Sequence, residues 1–299
     1  MGRSSEIAYW ALLHARPGMG PVTFRRLLDR FGSAAEVVEG ADREALAAVR
    51  GVTGDLANAV IAGRGRVERV ERAVEALAAK GVRLLRMTDA AYPMALHDLP
   101  NPPPLLYVLG EIGPRDERTV SMVGTTRPSD RGRAIAEQFG ARFAAAGATV
   151  VSGYAHGIDA ASHRGAFKGG GRSILCVPYG IRRFRSRPDF PALTEIAQRG
   201  AVVSECPPDQ EWSAAAAVAR DRIIAALGRA LLVIETRPRG GTIHTVRAAE
   251  QLRRPIFALQ YRTPPESARG NSILIARGAA PVSRFGDAAL ILERMDAKD

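Results

Sequence analysis

The sequence predicts an α/β protein: a doubly wound, mostly parallel sheet with a small helical domain ahead of it. Three observations carry that expectation. Six short apolar runs, at 119–123, 148–152, 173–178, 201–204, 230–235 and 254–259, alternate with helical patterns at the spacing of βαβ units. The runs are continuously apolar, as strands covered on both faces are. Residues 5–80, by contrast, show helical spacing broken by glycines.

Taken in order, Ile7, Trp10, Ala11, Leu13 and His14 give a first amphipathic helix, and the breaker Arg16-Pro-Gly-Met-Gly20 leads into a second, with Phe24, Leu27 and Leu28 on one face. Gly18-Met-Gly20 before a helix fits a helix-hairpin-helix, whose backbone N–H groups approach a phosphate, and fits a plain glycine cap equally well. Gly51-Val-Thr-Gly54 before 55–61 is a looser second candidate. A longer helix over 68–79 stops at Gly81, and Val82-Arg-Leu-Leu85 reads as a strand. Ala91-Tyr-Pro93 and Asn101-Pro-Pro-Pro104 flank a rigid connector ending in 105–110. The expected division is a helical domain over 1–80, a connector with short strands over 81–116, and the α/β domain over 117–299.

The chain has 299 residues and a formal charge of +11. Residues 1–111 hold 14 Lys and Arg against 13 Asp and Glu, so the other +10 belongs to the α/β part. A basic domain of this kind suits a polyanion such as nucleic acid, although only three of the 42 cations are lysines and an arginine bias also arises from genome composition. Cys176 and Cys206 show neither metal spacing nor a disulfide framework, and no apolar run approaches the length of a membrane span. A cytoplasmic, reduced protein without metal, cofactor or membrane contact is expected.

The stretch 119–163 holds the first candidate site. An apolar run stops at Gly124-Thr-Thr-Arg-Pro-Ser129, a helix is expected from Arg131 to Ala145, and a second run ends in Ser152-Gly153 before Tyr-Ala-His156-Gly157-Ile-Asp159. In a parallel sheet the ligand lies beyond the carboxyl ends of the strands. There Gly124 permits a tight turn, Thr125, Thr126 and Ser129 offer hydroxyls, Arg127 adds charge, and the helix N-terminus offers free N–H groups. Gly180 marks another strand end. Arg220 and Arg222 flank Asp221 ahead of an expected helix over 223–227. In an extended approach segment both guanidiniums would project the same way and grip successive phosphates while Asp221 orients one of them. Gly240, Gly241 and Thr242 open a helix expected over 243–251 that also carries Thr245. Asp159 and His163, four apart, raise an acid/base pair, but Asp159 reads better as a helix N-cap and no partnered nucleophile is evident. Glu205 and Glu235 at strand ends would bind a ribose or base, or pair with a crevice arginine.

Several of these segments resemble the DNA-processing protein A (DprA/Smf) family. The run from Ser152 to His163 is similar to its serine-glycine and Gly-Ile-Asp signature, Ala219-Arg-Asp-Arg-Ile-Ile-Ala to its Arg-Asn-Arg-Ile-Ile-Ala segment, and 233–245 to its Val-Glu-Ala and Ser-Gly-Ser-Leu-Ile-Thr segments. Pro17-Gly-Met-Gly20, Arg30-Phe-Gly-Ser33, Tyr92-Pro93 and Pro102-Pro-Pro-Leu-Leu-Tyr107 fall in the family's order. The resemblance, over about residues 5–283, implies an extended Rossmann-like domain after a helical one. It also implies single-stranded DNA binding without catalysis, a homodimer, and loading of the recombinase RecA during transformation or recombination. Departures cluster in the crevice: Thr126 stands for an arginine with Arg127 one step late, His156 for an arginine, Asp221 for an asparagine, Ala217-Val218 for Phe-Pro, and Gln260-Tyr261 for Pro-Gly, while an asparagine appears one residue early as Asn271. They fit a divergent paralogue. The chain ends soon after the last strand, so the winged-helix domain of some members is not expected. A second class is a nucleotide-derivative sensor or nucleotide-cleaving enzyme of the related Rossmann superfamily, for example in phage defence. The Pro-Gly-Gly-x-Gly-Thr motif of its phosphoribohydrolases is absent, and Gly240-Gly-Thr242 is only a fragment of it.

Overall fold

The structure, a computed structural model, describes residues 5–283 and 285–296. Five helices come first: α1 (Glu6–His14), α2 (Pro21–Phe31), α3 (Arg43–Ala47), α4 (Gly54–Ile61) and α5 (Val67–Ala78). Trp10, Phe24, Leu27, Leu46 and Val60 close a small core of their own, with the Trp10 and Phe24 ring centroids 4.9 Å apart. Gly32 and Gly81 end α2 and the chain past α5 at φ +84° and +76°, a conformation that costs glycine little.

The remainder forms β1 (Val82–Arg86), β2 (Leu105–Gly110), β3 (Thr119–Val123), α6 (Asp130–Ala145), β4 (Thr149–Gly153), α7 (Ile158–Lys168), β5 (Ser173–Cys176), α8 (Leu193–Gln198), β6 (Gly200–Ser204), α9 (Ala214–Leu227), β7 (Ala230–Val233), α10 (Thr242–Gln251), β8 (Ile256–Leu259), α11 (Arg269–Ala276), β9 (Ala280–Val282) and α12 (Ala288–Asp296). One nine-stranded sheet results, in the order β1-β2-β6-β5-β4-β3-β7-β8-β9. Its seven strands from β6 to β9 are mutually parallel, and only β2 runs against its neighbours. The segment 81–116 thus supplies two strands to the same sheet, Tyr107 pairing with Ser204 and Leu109 with Val82.

Helices cover both faces. Ile223 and Ile224 of α9, Val246 of α10 and Leu274 of α11 pack on one, while Phe139 and Phe143 of α6 and Ile291 of α12 pack on the other. Three of the six strands, β5, β7 and β8, are shorter than their apolar runs. β5 stops at Cys176 because Val177 still donates to the Val203 carbonyl but Pro178 has no N–H to continue the ladder. Strand order reverses between β3 and β7, so the loops at 124–129 and 234–241 diverge there and leave the crevice at the carboxyl ends.

Candidate nucleic-acid interface

At the reversal point the turn after β3 is held from within. A Cβ on Gly124 would lie 2.8 Å from the Glu235 carbonyl oxygen, and Thr125 N–H donates to that oxygen at 2.7 Å. Ser129 caps α6, its Oγ accepting from Gly132 N–H at 3.0 Å. The fully buried Glu235 carboxylate then accepts from Ser129 N–H (2.9 Å), Ser129 Oγ (2.6 Å), Tyr261 OH (2.8 Å) and Ser267 Oγ (2.8 Å). This corrects the expectation that Ser129 and the N-terminus of α6 serve a ligand phosphate: an anion of the chain itself already sits there. Tyr261, a departure from the family's Pro-Gly, supplies one of the four donors. Thr126 and Arg127 remain exposed on the rim, and the Arg127 guanidinium has no partner among the described residues.

The second turn packs against the first. Gly157, at φ +82°, presses on the Thr125 and Thr126 backbone, where a Cβ would come within 2.4 Å of the Thr125 oxygen. Gly157, not Asp159, is the N-cap of α7. Asp159 lies inside the first turn, 7% exposed, and burial pushes its carboxyl up to about 6 against the pull of Arg220. Gly153 admits both groups, since a Cβ there would meet the Asp159 carboxylate and the Arg220 guanidinium. The Ser152 hydroxyl donates to the Met122 carbonyl at 2.6 Å and also lies against the Asp159 carboxyl, so it is engaged inside the fold. His163 is fully buried, and burial pulls its ring down to about 3, so it is neutral. Its Nε2 lies 2.5 Å from the Gly153 carbonyl and must carry the proton, leaving Nδ1 as an acceptor 2.6 Å from the Ser173 hydroxyl, whose single proton is shared between it and the Val150 carbonyl at 2.9 Å. Asp159 and His163 therefore share no hydrogen bond. His156 is exposed, and Arg187 brings a guanidinium within 3.1 Å of its Nδ1 while lying 3.9 Å above the Tyr154 ring. A guanidinium still stands at this turn, delivered from the loop after β5.

The segment carrying Arg220 and Arg222 is helical throughout, α9 beginning at the Ser213 cap. Residues two apart on a helix diverge by roughly 200°, so the two guanidiniums do not project together. Arg220 is 8% exposed and donates to the Cys176 carbonyl at 2.5 Å and to Asp221 at 3.2 Å. Burial raises the Asp221 carboxyl, with Arg220 opposing. Arg222 donates to the Asn101 carbonyl at 2.8 Å and is ion-paired with Glu205. The expected paired grip on successive phosphates is thus corrected: both arginines tie elements of the fold together. Gly180 is likewise structural, with no room for a Cβ beside the Pro207 and Pro208 carbonyls.

The turn after β7 is open. Gly240 and Gly241 have nothing near their missing side chains, Thr242 is half-buried at the start of α10, and Thr245 is 2% exposed and faces inward. Asn271 fixes the base of this turn, donating to the Ile234 and Leu259 carbonyls and accepting from Thr236 N–H. Sequence reasoning missed the cations here: Arg237, Arg239 and Arg262 are exposed in the loops after β7 and β8 and Arg269 at the start of α11, and with Arg127 they have no ion pair among the described residues. Trp212, 63% exposed in the loop after β6, was also missed. Among the described residues no cluster of His, Cys, Asp and Glu could hold a metal, no helix is long and apolar enough to cross a membrane, and both cysteines are free and buried.

A Rossmann-type sheet with an arginine-lined rim at its switch point defines the class: an α/β protein whose ligand edge suits a polyanion. Residues 83–293 match the family described as DNA recombination-mediator protein A, and the protein Smf of Synechocystis is 32% identical over 283 residues, 92% of this chain and 70% of that protein. This chain belongs to that family. The DNA processing protein DprA of Bacillus subtilis is 26% identical over 72% of each chain. Among solved structures, DprA of Streptococcus pneumoniae superposes with a TM-score of 0.75 over 95% of this chain and 97% of its own, at 23% identity. DprA of Helicobacter pylori, described for its single-stranded DNA binding mode, matches 71% of this chain and 96% of its own with a TM-score of 0.63 at 24% identity.

Proposed function

We propose that this protein binds single-stranded DNA along the carboxyl rim of its sheet and acts as a non-enzymatic recombination mediator in the cytoplasm, as a homodimer that hands the strand to RecA. The observation that carries this reading is the set of exposed arginines 127, 237, 239, 262 and 269, without ion pairs among the described residues, on loops and a helix start beyond the carboxyl ends of the parallel strands. Family membership and the single-stranded DNA mode described for the H. pylori relative support it. The phosphate contacts fall to these arginines with Arg187 and the open Gly240-Gly241-Thr242 turn, and the helical domain before residue 81 supplies none of them.

Trp212 offers a stacking face for a base at the same rim. The chain has two tryptophans and the other, Trp10, is 3% exposed in the helical core, so bound DNA acts on the fluorescence of Trp212 alone. A thymidine oligonucleotide should quench that emission in step with its binding followed by anisotropy, and Trp212→Ala should lose the quench and weaken binding by roughly tenfold, on the scale of about 1–3 kcal/mol per stacked base. Binding without a quench would remove Trp212 from the path. A nucleotide sensor, in contrast, would bind a mononucleotide or cyclic nucleotide tightly in calorimetry and ignore the oligonucleotide.

A further inference from the structure

A cavity of about 1030 Å³ lies where the helical domain meets the sheet, lined by the hairpin at 14–21, the 99–104 segment, the start of the loop after β6, and the sides of α9 and α10. Its volume is that of a small-molecule site. Most of the wall is apolar, with Pro17, Met19, Pro100 and Leu252 among the lining residues. Two polar atoms of the lining are buried without a partner among the described residues: Glu205 Oε1, whose sister oxygen holds Arg222, and His14 Nδ1. A third, the Tyr107 hydroxyl, belongs to a ring whose centroid is 5.9 Å from that of His14. Buried polar groups are nearly always paired, so two unpaired atoms on residues of one lining, with a third on the ring behind His14, mark a place where something else supplies the partners. Burial pulls His14 down to about 4, which leaves its ring neutral at pH 7, able to donate from one nitrogen and accept at the other.

We propose that this cavity binds a nucleobase carrying an exocyclic amino group, with that group donating to Glu205 Oε1 and the ring held between the apolar walls. Adenine, cytosine and guanine meet this requirement. Thymine has no amino group, and its one base-edge donor, N3–H, is flanked by two carbonyl oxygens that would be set against the carboxylate. The occupant is either a free nucleotide or a base turned out of a strand, and Glu205 at the end of β6 joins the cavity to the proposed DNA rim.

The test measures binding of dAMP, dCMP, dGMP and dTMP, and of homopolymers of dA, dC and dT about twenty nucleotides long, to the full chain, to Glu205→Gln and to Ala219→Trp. In Glu205→Gln the amide oxygen stays on Arg222 and the amide N–H faces the cavity, so the acceptor becomes a donor. In Ala219→Trp an indole fills the space from a half-exposed position on α9. Amino-bearing bases should bind roughly tenfold tighter than thymine, the preference should vanish in Glu205→Gln, and all base-dependent binding should vanish in Ala219→Trp; thermal melts should show both variants folded at the assay temperature, Glu205→Gln melting lower because Arg222 loses its charged partner. A preference seen with mononucleotides makes a free nucleotide the occupant; one seen only with homopolymers makes it a base of the strand. Equal affinity for all bases in both formats, or a preference that survives both variants, overturns the proposal. The dT homopolymer reports on the rim alone, so its failure to bind would contradict the DNA reading while leaving the mononucleotide result to decide the cavity.

Discussion

Replacing Glu235 by alanine would strand four donors that converge on one fully buried carboxylate. Each hydrogen bond to a charged group contributes about 1.5–3 kcal/mol, so Glu235→Ala should lower the unfolding free energy by about 4 kcal/mol or more in urea titration; a loss under about 1 kcal/mol would contradict the assignment of Glu235 as an internal anchor. The sequence placed Glu235 at a strand end but not its role, because the donors come from Ser129, Tyr261 and Ser267, far apart in the chain. His163 gives a pH signature. Its ring is held near 3 in the folded state against an ordinary 6.5, so between those values the unfolded chain binds a proton that the folded chain does not, and stability falls as pH drops below 6.5. His14 acts in the same direction down to about 4. Asp159, raised from 3.8 to about 6, acts oppositely, lowering stability as pH rises from about 4 to 6. His163→Gln should be less stable than the natural chain at pH 7 yet lose less stability between pH 7 and 5; equal losses would show that His163 is not buried neutral.

At the scale of the element, α9 separates what was readable from what was not. Ser213 ahead of four alanines is a legible helix start, and the spacing of Arg220 and Arg222 alone, read as an extended segment, misses it. Once the segment is a helix, the arginines part company, and Arg222 becomes the clamp between Glu205 and the Asn101 carbonyl. The Arg222–Glu205 pair is largely buried, its side chains 24% and 15% exposed. Arg222→Glu would set two carboxylates against each other there and should cost about 3 kcal/mol of stability, whereas Arg239→Glu on the open turn should leave the melting temperature unchanged and weaken DNA binding severalfold. Matched thermal melts and anisotropy titrations would read both; the reverse pattern would return Arg222 to the binding surface. The parallel strands were legible because burial on both faces leaves mostly apolar residues, and the last two positions of the runs at β5 and β7 were not, because a residue such as Pro178 ends the hydrogen bonding without ending the apolar run.

For the whole molecule, the sequence separated a near-neutral helical half from a basic α/β half, and the family resemblance over spaced motifs agrees with the match over residues 83–293. It did not reveal which arginines are free, since the partners of Arg220 and Arg222, and the lack of partners at Arg237, Arg239, Arg262 and Arg269, depend on loops brought together only by the strand order. The most direct test of the rim is the affinity of the full chain for a thymidine oligonucleotide at two salt concentrations. With about four or five arginines on phosphates, log affinity should fall against log salt with a slope of about −3, roughly a fifty- to hundredfold loss from about 50 to 200 mM. Binding that ignores salt, or no binding at the lower concentration, would contradict the account.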